Sequence, residues 1–204
     1  MMSIDVLLAR PELARLAENL ARRKAVELQG DERTGYAAIA LVLRTGGDGH
    51  PEMLMIKRAA VEGDPWSGHI ACPGGRFEPE DSGLEFTAVR ETREETGVDI
   101  ATAGRVLGAL DDISPLTSHL PPIVIRPFVA VVRPDVEITG SDEVAEAFWV
   151  PLASLRGSTS WGRAMVPIRG VGEREVDVFR HGDYVVWGLT HRALTQFVEL
   201  LGTD

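Results

Sequence analysis

Apolar positions near the start of the chain recur at helical spacing. Leu13, Leu16, Ala17, Leu20, Ala21 and Val26 fall near i, i+3, i+4 and i+7, which predicts an amphipathic helix over Pro11 to Leu28 packed on the rest of the fold. A helix lying on a membrane surface is the alternative, and the glutamates among its basic residues argue against it. The pattern then changes. Tyr36 to Arg44 is a continuous apolar run of strand length, the turn signal Thr45-Gly46-Gly47-Asp48-Gly49 follows, and Glu52 to Arg58 makes a second strand, so the pair predicts a hairpin. Residues 59–82 are dense in Gly and Pro, which forbids a long helix and predicts an ordered loop. Ser82-Gly83-Leu84-Glu85 has the form of a capping box opening a helix, and Gly97 is placed to end it.

Strand-like runs recur at Val106 to Leu110, Ile123 to Val132, Ala147 to Val150, Arg163 to Arg169 and Glu175 to Arg180. His181-Gly182-Asp183 is a turn into a further strand, Tyr184 to Trp187. Leu189, Ala193, Leu194, Phe197, Val198 and Leu201 predict a last helix over Gly188 to Leu201. Three helices among seven or eight strands, with no repeat and no clear linker, predict one α/β or α+β layered domain over residues 1–204. Its expected parts are an N-terminal helix within 1–30, a core over 34–160, and a C-terminal hairpin and helix over 161–204.

Charge and composition narrow the chemistry. Lys and Arg number 21 against 31 Asp and Glu, a formal net charge of −10. That balance argues against a nucleic-acid backbone as partner, which needs clustered cations. It leaves room for small phosphorylated substrates bound through a metal ion that inverts the local charge. No stretch approaches the length of a membrane span, and Met1-Met2-Ser3-Ile4-Asp5 lacks the layout of an export signal. The single cysteine, Cys72, excludes an internal disulfide framework and a cysteine zinc cluster. A cytoplasmic location is the expectation.

The candidate chemistry lies in Arg90-Glu91-Thr92-Arg93-Glu94-Glu95. Helix residues advance by about 100° each, so Glu91, Glu94 and Glu95, at i, i+3 and i+4, share one face. Like charges so placed repel, and an oxygen-liganded divalent cation, Mg²⁺ or Mn²⁺, would turn that repulsion into binding. The bland alternative is a solvated face neutralised by Arg90 and Arg93. Two features favour the site: the helix is poor in large apolar side chains, and it follows Pro73-Gly74-Gly75, where bare backbone can approach a ligand.

Gly75, five residues, Asp81, eight residues, then Arg90-Glu91-Thr92-Arg93-Glu94-Glu95-Thr96-Gly97-Val98 resembles the box of the Nudix hydrolases, here residues 75–98. The family pattern is Gly, five residues, Glu, seven residues, Arg-Glu-aliphatic-any-Glu-Glu-any-Gly-aliphatic. This chain departs from it in Asp81, in one extra spacer residue, and in Thr92. The resemblance implies an α/β/α sandwich around a mixed β-sheet that cleaves the pyrophosphate of nucleoside diphosphate derivatives. It also implies Glu91, Glu94, Glu95 and the Gly74 carbonyl as ligands of Mg²⁺ or Mn²⁺, with Arg90 orienting the acids. Asp81 is then an auxiliary acid, a group behind the ligands, or simply a cap.

Flanking segments resemble the coenzyme A diphosphatase branch of that family. They are Leu54-Met55-Ile56-Lys57-Arg58-Ala59, Gly68-His69-Ile70-Ala71-Cys72-Pro73-Gly74-Gly75, Pro121 to Val129, Phe148-Trp149-Val150-Pro151-Leu152 and Val186-Trp187-Gly188-Leu189-Thr190. Gly63 stands where that branch has an arginine, and Cys72 where it has phenylalanine. Arg58 and Arg76 are candidate phosphate contacts, since arginine offers a planar fork of donors, and Trp66 is a candidate stacking residue. His69 has no partner in motif spacing and reads as structural, Cys72 has no base to activate it, and Trp149, Trp161 and Trp187 read as core or interface. The expected partner is a small-molecule nucleotide, with a homodimer suggested by the N-terminal helix and surplus tryptophans. Open alternatives are an ADP-ribose, nucleoside diphosphate sugar or nucleoside triphosphate pyrophosphatase, and a non-enzymatic nucleotide-sensing module.

Overall fold

A strand that is apolar on both faces must be covered on both faces, and the run beginning at Tyr36 is covered in that way. In the computed structural model, which describes residues 4–63, 66–116, 122–168 and 171–202, the elements begin with α1 (Ile4–Leu8), α2 (Pro11–Arg22), β1 (Gly35–Thr45), β2 (Pro51–Arg58), β3 (Ile70–Ala71), β4 (Gly74–Arg76), α3 (Leu84–Thr96) and α4 (Ile100–Ala103). There follow β5 (Gly104–Ala109), β6 (Ile123–Val132), β7 (Val144–Pro151), α5 (Leu152–Arg156), β8 (Trp161–Ile168), β9 (Gly172–His181), β10 (Tyr184–Trp187) and α6 (Gly188–Leu201). Met1 to Ser3, Asp64, Pro65, Pro121 and Arg169, which several sequence expectations include, lie outside the described residues.

On one face of the sheet Leu41, Leu43, Met53, Met55, Val129 and Val131 meet Leu7, Leu13, Leu16 and Leu20 of α1 and α2, Leu155 of α5 and Phe197 of α6. On the other, Ala38, Ala40, Val42, Leu54 and Phe128 meet Ala88 of α3 together with Val98 and Ile100. This is the α/β/α sandwich around a mixed sheet. Strand β6 runs parallel to β1 from Gly35↔Ile123 to Leu43↔Val131, and β5 lies antiparallel on β6. A separate antiparallel sheet, ordered β10-β9-β8, carries the C-terminal hairpin.

The feature that builds the site is a split in the main sheet. Strands β1 and β2 pair only at Leu43↔Met53, Arg44↔Glu52 and Thr45↔Pro51. Beyond Met53 they part, and Ile70 to Arg76 fills the gap: β3 pairs with β2 at Ile56↔Ala71, and β4 pairs with β1 at Ala38↔Gly75. Between them the Ala40 amide donates to the Pro73 carbonyl at 2.8 Å. The expected loop over 59–82 thus contains two short strands. Gly74 is required there: with φ at +152°, a Cβ would lie 2.2 Å from the Ala38 carbonyl oxygen.

Three local expectations are corrected. The first long helix stops at Arg22 rather than Leu28, because the next residues exchange helical bonds for tertiary ones. Arg23 pairs with Asp111, and the Val26 and Leu28 amides donate to the carboxylates of Asp111 and Asp112 at 2.7 and 2.9 Å. Ser82 does not cap α3; the capping position falls on Gly83, whose lack of a side chain leaves no side-chain cap bond. Finally, the short helices α1, α4 and α5 lie in segments with too few residues to show a period. Helix α3 ends as expected at Gly97, whose φ of +73° is left-handed and whose amide donates to Arg93 O at 2.8 Å.

Candidate active site

Helix α3 lies close to the sheet because its inner face is small: Thr87, Ala88, Thr92 and Thr96 are buried against the alanines of β1. Thr92, where the family pattern has an aliphatic residue, returns its hydroxyl to Ala88 O at 2.7 Å, so its burial leaves no donor unmade. The outer edge of the helix carries the charges. Asp81 is almost wholly buried and grips Arg90 with both oxygens, Nε to Oδ1 at 2.9 Å and Nη2 to Oδ2 at 3.0 Å. It also accepts from Thr87 Oγ1 and the Glu78 amide. The Arg90 guanidinium holds the Asp81 carboxyl far below the usual carboxylate range. Asp81 therefore orients an arginine.

Arg90 in turn reaches the acids. Its Nη1 donates to Glu91 Oε1 at 3.0 Å and to Glu94 Oε2 at 2.9 Å, while Nη2 donates to the Arg76 carbonyl. Glu95 faces inward with a side-chain exposure of 3%. It accepts from the Gly74 amide at 2.8 Å and lies 3.7 Å from Arg58 Nη1. Burial raises its pKa to about 7, with Gly74 and Arg58 opposing the shift and Glu91 and Glu143 adding to it. Burial likewise raises Glu91, against the pull of Arg90. Gly75 lies close beside it, and a Cβ there would stand 2.4 Å from the Glu91 carboxyl and displace it.

A cavity of about 300 Å³ opens over these groups, lined by Glu78, Arg90, Glu91, Glu94, Glu95, Ser141, Asp142 and Glu143. Six carboxylates thus share it with one guanidinium. Among the described residues no three acids converge on one point as they stand, because Arg90 holds Glu91 and Glu94 while Gly74 and Arg58 hold Glu95. The donor set is all oxygen and strongly anionic, which fits Mg²⁺ or Mn²⁺ and no soft metal.

The structure brings Glu91, Glu94, Glu95, Arg90, Asp81, Gly74 and Arg58 together. The Arg76 side chain instead lies beside Gly35 at the start of β1, and Trp66 is partly buried in its loop, outside the lining of this cavity. The His69 ring packs on Trp187 at 4.6 Å between centroids. Cys72 is fully buried, with its thiol pushed up to about 12. Trp161 donates to Leu155 O and packs on Phe179. The acids that sequence reasoning missed are Glu78, Asp142 and Glu143. Glu143 is remote in the chain from the helix it faces, and no local spacing signals that meeting.

An acidic helix face behind a Gly-Gly turn, on a split mixed sheet between helical layers, defines a class of phosphoanhydride hydrolases. A profile of the NUDIX domain matches residues 34–167, and the chain belongs to the Nudix hydrolase family. It is 32% identical over 162 residues to human mitochondrial coenzyme A diphosphatase NUDT8, across 79% of this chain and 67% of the human one. It is 29% identical over 150 residues to the Nudix hydrolase NudL of Photorhabdus laumondii, across 73% and 76% of the two chains. Its fold is similar to that of a MutT/nudix family protein from Enterococcus faecalis, with a TM-score of 0.55 at 17% identity over 95% of this chain and 71% of that one. No helix among the described residues is long and apolar enough to cross a membrane.

Proposed function

We propose that this enzyme is a divalent-metal-dependent diphosphatase acting on coenzyme A or a derivative of it. The observation that carries the metal is the cavity itself, six carboxylates against Arg90, with Glu95 buried at its floor. Glu91, Glu94, Glu95 and the Gly74 carbonyl would hold Mg²⁺ or Mn²⁺. When bound, the cation supplies neutralisation of the diphosphate and a more acidic water. Arg90, fixed by Asp81, bridges Glu91 and Glu94 through Nη1 at the wall of the cavity. Arg58 stands beside Glu95, where its guanidinium can meet a phosphoryl oxygen. Arg76 and Trp66 lie outside this cavity and would meet only the more distant parts of the substrate. A carboxylate of the cavity takes the proton as water attacks phosphorus. The bridging P–O bond breaks and the two halves leave, each carrying a terminal phosphate monoester.

The choice of coenzyme A rests on the NUDT8 likeness and on the segments Leu54 to Ala59 and Gly68 to Gly75. Gly63, exposed and in place of an arginine, is the departure from that pattern. A buried lone cysteine suits a reducing compartment such as the cytoplasm, although the human relative is by name mitochondrial. A homodimer is the assembly we expect, checked by light scattering. The test of substrate is a panel of coenzyme A, ADP-ribose, a nucleoside diphosphate sugar and a nucleoside triphosphate, with products identified. Coenzyme A yielding 4′-phosphopantetheine and 3′,5′-ADP supports the reading; cleavage of ADP-ribose alone contradicts it.

A further inference from the structure

The connection from β6 to β7, residues 133–143, crosses the end of α3 and carries Asp142 and Glu143 to the cavity. Its first half is fastened to the body of the fold. The Arg133 amide donates to Ala103 O at 2.9 Å, Arg44 Nη1 donates to Val136 O at 3.0 Å, and Val136 and Ile138 pack on the core face that α3 covers. The last contact before the acids is made on the box helix itself. The Thr139 amide donates to the Thr96 carbonyl at 2.9 Å, and the Thr139 side chain rests on Gly97. A Cβ at Gly97 would lie 1.9 Å from Thr139 Oγ1 and 3.1 Å from its Cβ. Four residues further on, the Glu143 carbonyl accepts from the Ala59 amide just past β2, also at 2.9 Å.

Gly97 therefore meets two demands. Its φ of +73° ends the helix, which asparagine can also do. Its bare α-carbon is the seat for Thr139, which asparagine cannot be. A short segment tethered at both ends cannot shift at one end without re-aiming the side chains it carries. Glu143, at the far end, faces the box acids closely enough that its charge opposes the ionisation of both Glu91 and Glu95. The same charge attracts a cation held by those two. We infer that Thr139, seated on Gly97, is a positioning residue that fixes the Glu143 carboxylate opposite Glu91 and Glu95, where its charge strengthens the hold on a divalent cation. The inference rests on the metal-dependent diphosphatase reading and adds to it a chain segment outside the box.

Mn²⁺ binding, measured below each unfolding midpoint, is compared for the parent, Gly97→Asn, Glu143→Gln, Gly97→Asn with Thr139→Ala, and Gly97→Asn with Glu143→Gln. Glu143→Gln and Gly97→Asn should each weaken binding about tenfold, as for one charge lost about 6 Å from a divalent ion in water. Adding Thr139→Ala to Gly97→Asn makes room for the new Cβ and should recover most of the loss. Gly97→Asn with Glu143→Gln should bind about as weakly as either alone, because both remove one contribution. A lowered unfolding midpoint for Gly97→Asn with unchanged Mn²⁺ affinity makes the seat merely structural and overturns the inference. Losses that multiply in the pair overturn it too, as does a loss that Thr139→Ala leaves in place. Should Gly97→Asn not fold, Thr139→Pro, which removes the amide donor to Thr96 and keeps the glycine, takes its place in the pairing with Glu143→Gln. Glu95→Gln measured alongside separates the two readings: binding lost there but kept in Gly97→Asn removes only the role of Thr139, and a parent that binds no Mn²⁺ removes the diphosphatase reading as well.

Discussion

Two buried aspartate–arginine pairs among the described residues, Asp112–Arg126 and Asp81–Arg90, differ in one respect. Asp112, with no exposed side-chain surface, takes Arg126 through both oxygens at 2.7 and 2.9 Å. The Leu28 amide fills its remaining capacity, and Glu27 shares the arginine at 3.3 Å. Asp81 takes Arg90 in the same bidentate way. Around Asp112 the charges close on one another and fasten an extended strap to the sheet. Around Asp81 they do not close, for Arg90 must also serve Glu91 and Glu94 while Glu78, Glu95, Asp142 and Glu143 face the same cavity. The Asp112 cluster is satisfied by its own members and acts as a fastening. The proposed cation would compensate the excess of carboxylates around Arg90.

The contrast can be broken from either side. Arg126→Met leaves Asp112 buried without its cation and should cost about 3–5 kcal/mol of unfolding free energy. The surviving folded enzyme should keep its kcat, measured by denaturant titration alongside steady-state kinetics. Glu95→Gln should do the reverse. Hydrolysis should fall by about 10²–10⁴-fold, while the unfolding midpoint holds or rises, since a buried charge has been removed. Gly75→Ala pushes a methyl group toward the Glu91 carboxyl and should cost about 1–3 kcal/mol as an overpacked contact, with activity reduced alongside.

The Glu95 carboxylate also gives a pH dependence. The Glu95 carboxyl has its pKa raised from 4.5 to about 7 in the fold, so between those values the folded state holds a proton that the unfolded chain has lost. Stability of the metal-free protein is then greatest below pH 4.5 as far as this group is concerned, and falls as pH rises through about 7. Glu95→Gln should flatten that slope in unfolding curves recorded from pH 5 to 8. Asp81, with its pKa lowered, acts in the opposite sense, and only at more acid pH.

What could be read from the chain alone was what repeats locally. The strand Ile123–Val132, the helix ending before Gly97 and the helix Gly188–Leu201 each carry their own period or terminator. The shared face of Glu91, Glu94 and Glu95 follows from helical geometry. What could not be read depends on distant partners. The segment after Arg22 looks helical, but the carboxylates of Asp111 and Asp112 draw its amides into an extended strap. Glu143 and Ser141 meet α3 only because the chain returns from β6 to β7 across its end. The split between β1 and β2 leaves no local pattern either, since its filling strands, β3 and β4, are two and three residues long.

The central claim is that the unbalanced acids around α3 gather on a divalent cation. Mn²⁺ binding followed by electron paramagnetic resonance tests it most directly, with parent, Glu95→Gln and Arg126→Met compared at neutral pH. The parent and Arg126→Met should bind alike, and Glu95→Gln should bind at least about tenfold more weakly, since losing a ligand should cost no less than losing a group that only orients one. Equal binding by Glu95→Gln, or no binding by the parent, would contradict the account.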